Sequence, residues 1–253
     1  MKKLGLGLLV FLFVLLLMYL VGGSFYMLHY ALEPEAERTD TARCFRRFRE
    51  NNPVLVPWLD SLRACQALRD TFVLMPSGER HHAYLIRRAP ESPTAIVLHG
   101  WRGCAIDFLA YARMFHEELG LNVLLPDLHA HGLSDGDMIG MGWKERKDVL
   151  RWMAIACETF RCDELIVYGV SMGAATTMNV SGETSLGQVG GTEEKAVSFH
   201  FIEDCGYTSV WDEFVHELRV EFRLPAFPLM HTASLLCRLR YGWSFGEASP
   251  LKQ

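Results

Sequence analysis

Three uninterrupted apolar runs occupy the middle of the chain: TAIVLHG at 94–100, NVLLPD at 122–127 and ELIVYG at 164–169. A strand with one wet face alternates polar and apolar residues, whereas a strand with no polar position must be covered on both faces. Segments of helical spacing lie between and after these runs. AIDFLAYARMFHEELG (105–120) closes on Gly120, GWKERKDVLRWMAIACETF (142–160) is amphipathic, and MGAATTMNVSG (172–182) follows the third run at once. DTFVLM (70–75) and HAYLIRR (82–88) read as strands around the turn PSGER. AVSFHFIEDC (196–205) reads as another, beyond a loop rich in glycine and glutamate that ends at Lys195. Residues 206–253 read as helices and turns. Strands alternating with helices predict an α/β fold with a mostly parallel sheet and helices on both faces. Ligands of such sheets gather outside the carboxyl ends of the strands.

The N-terminus obeys a different rule. After Lys2 and Lys3 no charged residue occurs from Leu4 to Leu28, and Glu33, Glu35 and Glu37 follow. A membrane-spanning helix needs about 20 apolar residues, and a secretory core only about 7–15. Residues 1–28 therefore predict a single-pass anchor, with the lysines in the cytoplasm and the rest of the chain outside. The alternative is a signal sequence cut near Gly22, Gly23 and Ser24, leaving an exported protein. Residues 29–69 carry charged helical patterns broken by Pro53 and Pro57, and read as a spacer or cap before a catalytic domain over 70–253.

A net charge of −5 without basic blocks gives no electrostatic footing for nucleic acid. The seven cysteines form no CxxC pattern; Cys44 with Cys65, or Cys157 with Cys162, could pair in an exported domain, and buried free thiols are the equal alternative.

Three motifs fall at strand ends. GVSMG (169–173) is a G-x-S-x-G sequence between a strand and a helix. A nucleophilic serine needs a tight turn that lifts its hydroxyl into the cleft, and Gly169 and Gly173 let strand and helix approach. HGWRG (99–103) leaves the first buried strand, where a loop N–H can help hold an oxyanion. Trp101 and Met172 are the two expected backbone donors, with His99 and Gly100 as support; His99 reads as a structural group because it precedes the serine. The loop DLHAHGLSDG (127–136) borders the same edge. Its His129 and His131 form an H-x-H pair that could be read as metal ligands, but no third ligand of suitable spacing stands nearby, so neither a metal nor a cofactor is expected.

Together with EDCGYTSVWDEF (203–214), these motifs make residues 70–253 resemble the α/β-hydrolases, in particular membrane-anchored or exported bacterial serine hydrolases. The resemblance implies Ser171 as nucleophile, an acyl-enzyme on an ester, thioester or amide, and a small-molecule or peptide acyl substrate. It also implies a later acid and then a histidine. One strand follows Ser171, so the C-terminal strands that carry acid and base in these enzymes are expected to be missing from these 253 residues. Asp204 is the nearest candidate acid. His200 is expected to be packed within its strand, and His216 and His231 lie in a lid-like helical region. The other reading is a non-catalytic membrane-anchored binding protein, or an inactive truncated hydrolase. The aromatic residues Trp211, Phe214, Phe222, Phe227, Trp243 and Phe245 read either as an acyl pocket or as packing.

Overall fold

The computed structural model describes residues 2–183, 189 and 197–252; most of the glycine- and glutamate-rich loop after α6 lies outside them. They fall into two compact units, Pro34–Tyr207 and a second made of the N-terminal helix up to Glu33 with Thr208–Lys252.

Pro34–Tyr207 is built on a six-stranded sheet. Its strands are β1 (Leu68–Leu74), β2 (Arg80–Ile86), β3 (Thr94–Leu98), β4 (Asn122–Pro126), β5 (Glu164–Val170) and β6 (Ser198–Asp204). The order is β1-β2-β4-β3-β5-β6. β2 runs antiparallel to both its neighbours, β1 and β4, and the other neighbouring pairs are parallel, so the sheet is mixed. Every residue of β3 and β4 is buried, as their unbroken apolar runs demand. Alternation by two sends Ala95, Val97, Val123, Leu125 and Tyr168 to one face. There they pack with Phe48 of α2 (Thr41–Asn51), with Leu59 and Leu62 of α3 (Val56–Ala64), and with Leu109 and Ala112 of α4 (Leu109–Arg113). The complementary Ile96, Leu98, Leu124, Leu165 and Val167 are equally buried, on the side of α5 (Glu145–Phe160) and α6 (Met172–Ser181).

The segment expected as one helix over 105–120 is three pieces: a 3-10 turn at Ala105–Phe108, α4, and a π-helical stretch at Met114–Glu118. Asp107 accounts for the tight start, since its carboxylate accepts the Cys104 N–H at 3.1 Å and a two-pronged bond from Arg47 of α2 at 2.9 and 2.6 Å.

In the second unit, α1 (Lys2–Leu32) runs beside α8 (Leu229–Tyr241), with Ser24 Oγ 2.7 Å from Thr232 Oγ1. Its stretch Leu6–Leu32, with a mean hydropathy of 2.7 over an 18-residue window, is long and apolar enough to cross a membrane. Phe214 of α7 (Val210–Val220) stacks edge-on against Phe245 at 4.8 Å, and Trp243 lies 6.0 Å from Phe245. Phe222 contacts the rings of Tyr26 and Tyr30, and Trp211 and Phe227 both contact His231. Phe214, Trp243 and Phe245 thus pack on one another, while Phe227 is exposed beside His231.

Candidate active site at the end of β5

Ser171 joins β5 to α6 with φ +56° and ψ −116°. Such a backbone is sparsely populated by residues with a side chain and costs about 1–3 kcal/mol, so the surrounding fold has to impose it. The two glycines show how. A Cβ on Gly169 would lie 2.1 Å from the Gly173 carbonyl oxygen, and one on Gly173 would lie 2.3 Å from the Leu98 carbonyl oxygen. Strand, turn and helix are thus pressed together, backbone against backbone. The Ser171 N–H is tied to the Asp204 carbonyl at 2.9 Å, and its own carbonyl accepts the Ala175 N–H at 3.0 Å. Ser171 is half-buried, and its Oγ has no hydrogen-bond partner among the described residues.

Met172 is the first residue of α6, where N–H groups have no intrahelical acceptor and the helix dipole favours negative charge. The neighbouring loop comes from β3. A Cβ on Gly100 would lie only 3.5 Å from Ser171 Cβ, so His99–Gly103 runs directly past the serine. Two histidines hold that loop. His99 is fully buried; its Nδ1 donates to the Gly100 carbonyl at 2.8 Å, and its Nε2 accepts the Leu128 N–H at 3.0 Å. His131 repeats the arrangement, donating from Nδ1 to the His129 carbonyl at 2.8 Å and accepting the Arg102 N–H through Nε2 at 3.1 Å. The two rings meet edge-on at 4.9 Å. Burial lowers both, His131 to about 3, so both are neutral and each uses one nitrogen as donor and the other as acceptor.

Asp127 fixes the other side. Its carboxylate accepts the Ala105 N–H at 2.8 Å, the Leu133 N–H at 2.9 Å and His82 Nδ1–H at 2.8 Å. Burial alone would raise its pKa, but the His82 bond and charge, with the Ala105 N–H, hold it below the ordinary carboxylate value. The half-buried Arg38 closes the loop by donating to the carbonyls of Gly132 and Ser134. Sequence reading placed the 127–136 loop beside the site but missed Asp127 and His82 as its anchor. The two residues lie in different strands and share no local pattern.

The remaining candidates are placed as follows. Asp204 ends β6 next to the turn, but its exposed carboxylate accepts the Tyr168 hydroxyl at 2.9 Å. His200 lies on β6 as expected, yet it is exposed rather than packed, and its Nε2 is 3.2 Å from Glu164 Oε1. Alternation points it away from the covered face at this edge strand. His216 and His231 are exposed on α7 and α8. All seven cysteines are free, and the thiol beside Cys44 is Cys104 instead of Cys65, while Cys157 does neighbour Cys162. A small cleft lined by Arg38, Arg47, Arg102 and His131 borders the loop that leaves β3.

No protein-family model matches the chain. An uncharacterized protein of Bacillus subtilis, YqkD, is 29% identical over 195 residues, which cover 76% of this chain and 61% of YqkD. An alpha-beta hydrolase from Vibrio vulnificus superposes with a TM-score of 0.56 at 19% identity, over 79% of this chain and 63% of that one. The Pyrococcus furiosus esterase Pf2001 superposes with a TM-score of 0.51 at 19% identity, over 67% of this chain and 60% of the esterase. The chain has the α/β-hydrolase fold. It spans about three fifths of the length of these proteins. In the α/β-hydrolase fold the β5–α6 turn sits at the carboxyl edge of the sheet, where β3 and β4 also release their loops, and that edge is where Ser171, Trp101 and Asp127 stand.

Proposed function

We propose that this protein is a serine hydrolase that cleaves a carboxylic ester, thioester or amide through an acyl-enzyme on Ser171. The observation that carries the reading is the strained turn at Ser171, φ +56°, held by glycine contacts that admit no side chain. A fold does not hold a serine in this conformation without support elsewhere, and the conformation presents Oγ ahead of the first N–H groups of α6. In this mechanism Oγ attacks the acyl carbonyl and loses its proton to a general base. The Met172 and Trp101 N–H groups receive the negative charge that develops on the carbonyl oxygen. The leaving alcohol, thiol or amine departs with a proton from the base, and water then releases the acid by the same route. His99, His131 and Asp127 act as positioning residues that keep the Trp101 loop in place. No cofactor enters the scheme.

Each of the seven histidines within Pro34–Tyr207 already faces another group: His81, His82, His116, His129 and His200 face carboxylates, and His99 and His131 face backbone. None of them is hydrogen-bonded to Ser171 Oγ, so no base is assigned among the described residues, and Asp204 is retained as a candidate acid. A binding protein on the same scaffold is the competing reading, favoured by the lack of a partner for Ser171 Oγ among the described residues. We place the protein on the membrane by α1, with the lysines cytoplasmic and the catalytic unit outside.

Hydrolysis of p-nitrophenyl esters by the native protein separates the two readings. Ser171→Ala is expected to lower kcat/KM by about a thousandfold or more. Equal turnover by the wild type and the variant would overturn the proposal.

A further inference from the structure

Away from Ser171, four titratable side chains from four elements of Pro34–Tyr207 converge. Glu79 comes from the β1–β2 turn, His81 from β2, His129 from the loop after β4, and Asp148 from α5. His81 is fully buried and neither of its ring nitrogens has a hydrogen bond. His129 is 3% exposed, and its Nε2 is unpartnered too. Buried polar groups are nearly always hydrogen-bonded, and two such imidazoles side by side call for an explanation. Glu79 Oε2 lies 3.4 Å from His129 Nδ1 and 3.9 Å from His81 Nε2, and the three ligand atoms all fall within 4.8 Å of one another. Asp148 Oδ2 is 3.7 Å from the other His81 nitrogen, Nδ1.

We propose that Glu79, His81 and His129 bind a divalent first-row cation, Zn²⁺ by its donor set, and that Asp148 orients His81. Zinc bonds of about 2.0–2.1 Å in a tetrahedron put neighbouring ligand atoms about 3.3 Å apart. The Glu79–His129 pair already has that spacing, and His81 Nε2, 3.9 Å from Glu79 and within 4.8 Å of its His129 counterpart, must close in by up to about 1.5 Å to complete it. Two imidazoles and one carboxylate suit zinc, whereas calcium and magnesium prefer all-oxygen sites. Asp148 Oδ2 lies 3.7 Å from His81 Nδ1 and 3.9 Å from His129 Nδ1, close enough to close onto His81, and a carboxylate bonded to the second nitrogen of a ligating histidine is the usual support for such a ligand. Glu79, with its side chain 34% exposed, leaves a fourth position open to water. His131 takes no part, because both of its nitrogens are already bound to backbone. The ion would clamp the β1–β2 turn to the loop whose Leu128 N–H and His131 ring hold the Trp101 segment. The proposal does not depend on the catalytic reading of Ser171.

The test uses the full chain in detergent, purified without chelator or histidine tag. Expected are one equivalent of zinc per chain that survives dialysis, and a four-coordinate visible spectrum when Co²⁺ replaces it. EDTA should lower the Tm of the wild type and leave that of Glu79→Gln unchanged, and the variant should bind zinc at least tenfold more weakly. Asp148→Asn should weaken binding by about 10–100-fold. Failure to retain zinc, an octahedral cobalt spectrum, or unaltered binding in Glu79→Gln would overturn the proposal. The cobalt spectrum of the wild type decides the matter even where a variant fails to fold.

Discussion

Ser171 carries two burdens that substitution separates. Its hydroxyl is the proposed nucleophile, and its backbone occupies a conformation with φ +56° that a Cβ disfavours. Ser171→Ala removes the first and keeps the second. Ser171→Gly removes both, because glycine adopts positive φ without penalty, although it loses more chain entropy on folding. We expect both variants to be inactive and the glycine variant to be more stable than the alanine variant by about 1 kcal/mol. Thermal denaturation of the pair measures this. An alanine variant as stable as the glycine variant would mean that the turn relaxes and stores no strain.

The elements around the site are joined chiefly by buried imidazoles and one carboxylate. His99 ties the end of β3 to Leu128 after β4, and it is neutral because burial lowers its pKa below 6.5, against the pull of Asp127 and Asp107; the His131 ring faces it edge-on. Unfolded, the same imidazole takes up a proton below pH 6.5, so the unfolded state gains protons that the folded state refuses. Stability contributed at this position is complete above pH 6.5 and declines as the pH falls. The slope is about 1.4 kcal/mol per pH unit for one proton. His99→Asn should flatten the acid side of the stability curve by that slope, as measured by denaturation from pH 7 to pH 5. A parallel shift without flattening would show that His99 does not titrate on unfolding. These ties also mark where sequence stops being informative. Strands β3, β4 and β5 announce themselves by unbroken apolar runs, and the β5–α6 turn by its glycines, because the signal for each is local. The pairing of Asp127 with His82, of His131 with the Arg102 N–H, and of His81 with His129 and Asp148 joins distant segments through side chains, and no spacing records it. His200 was misjudged for a related reason: a strand reads as buried from its pattern, but β6 stands at the sheet edge with one ring turned to Glu164.

At the scale of the whole molecule, an α/β-hydrolase unit shares its chain with a helix long and apolar enough to cross a membrane. With lysines before that helix and glutamates after it, the proposed orientation leaves Pro34–Tyr207 outside the cytoplasm. Protease added to intact cells should then digest that unit, and digestion only after lysis would reverse the topology. The central claim concerns Ser171, and the most direct measurement is covalent labelling. The native protein in its own membranes is treated with a fluorophosphonate and its peptides are mapped by mass spectrometry. An adduct on Ser171, absent from Ser171→Ala, is the predicted result. A folded native protein that carries no adduct would contradict the account and leave the scaffold to binding.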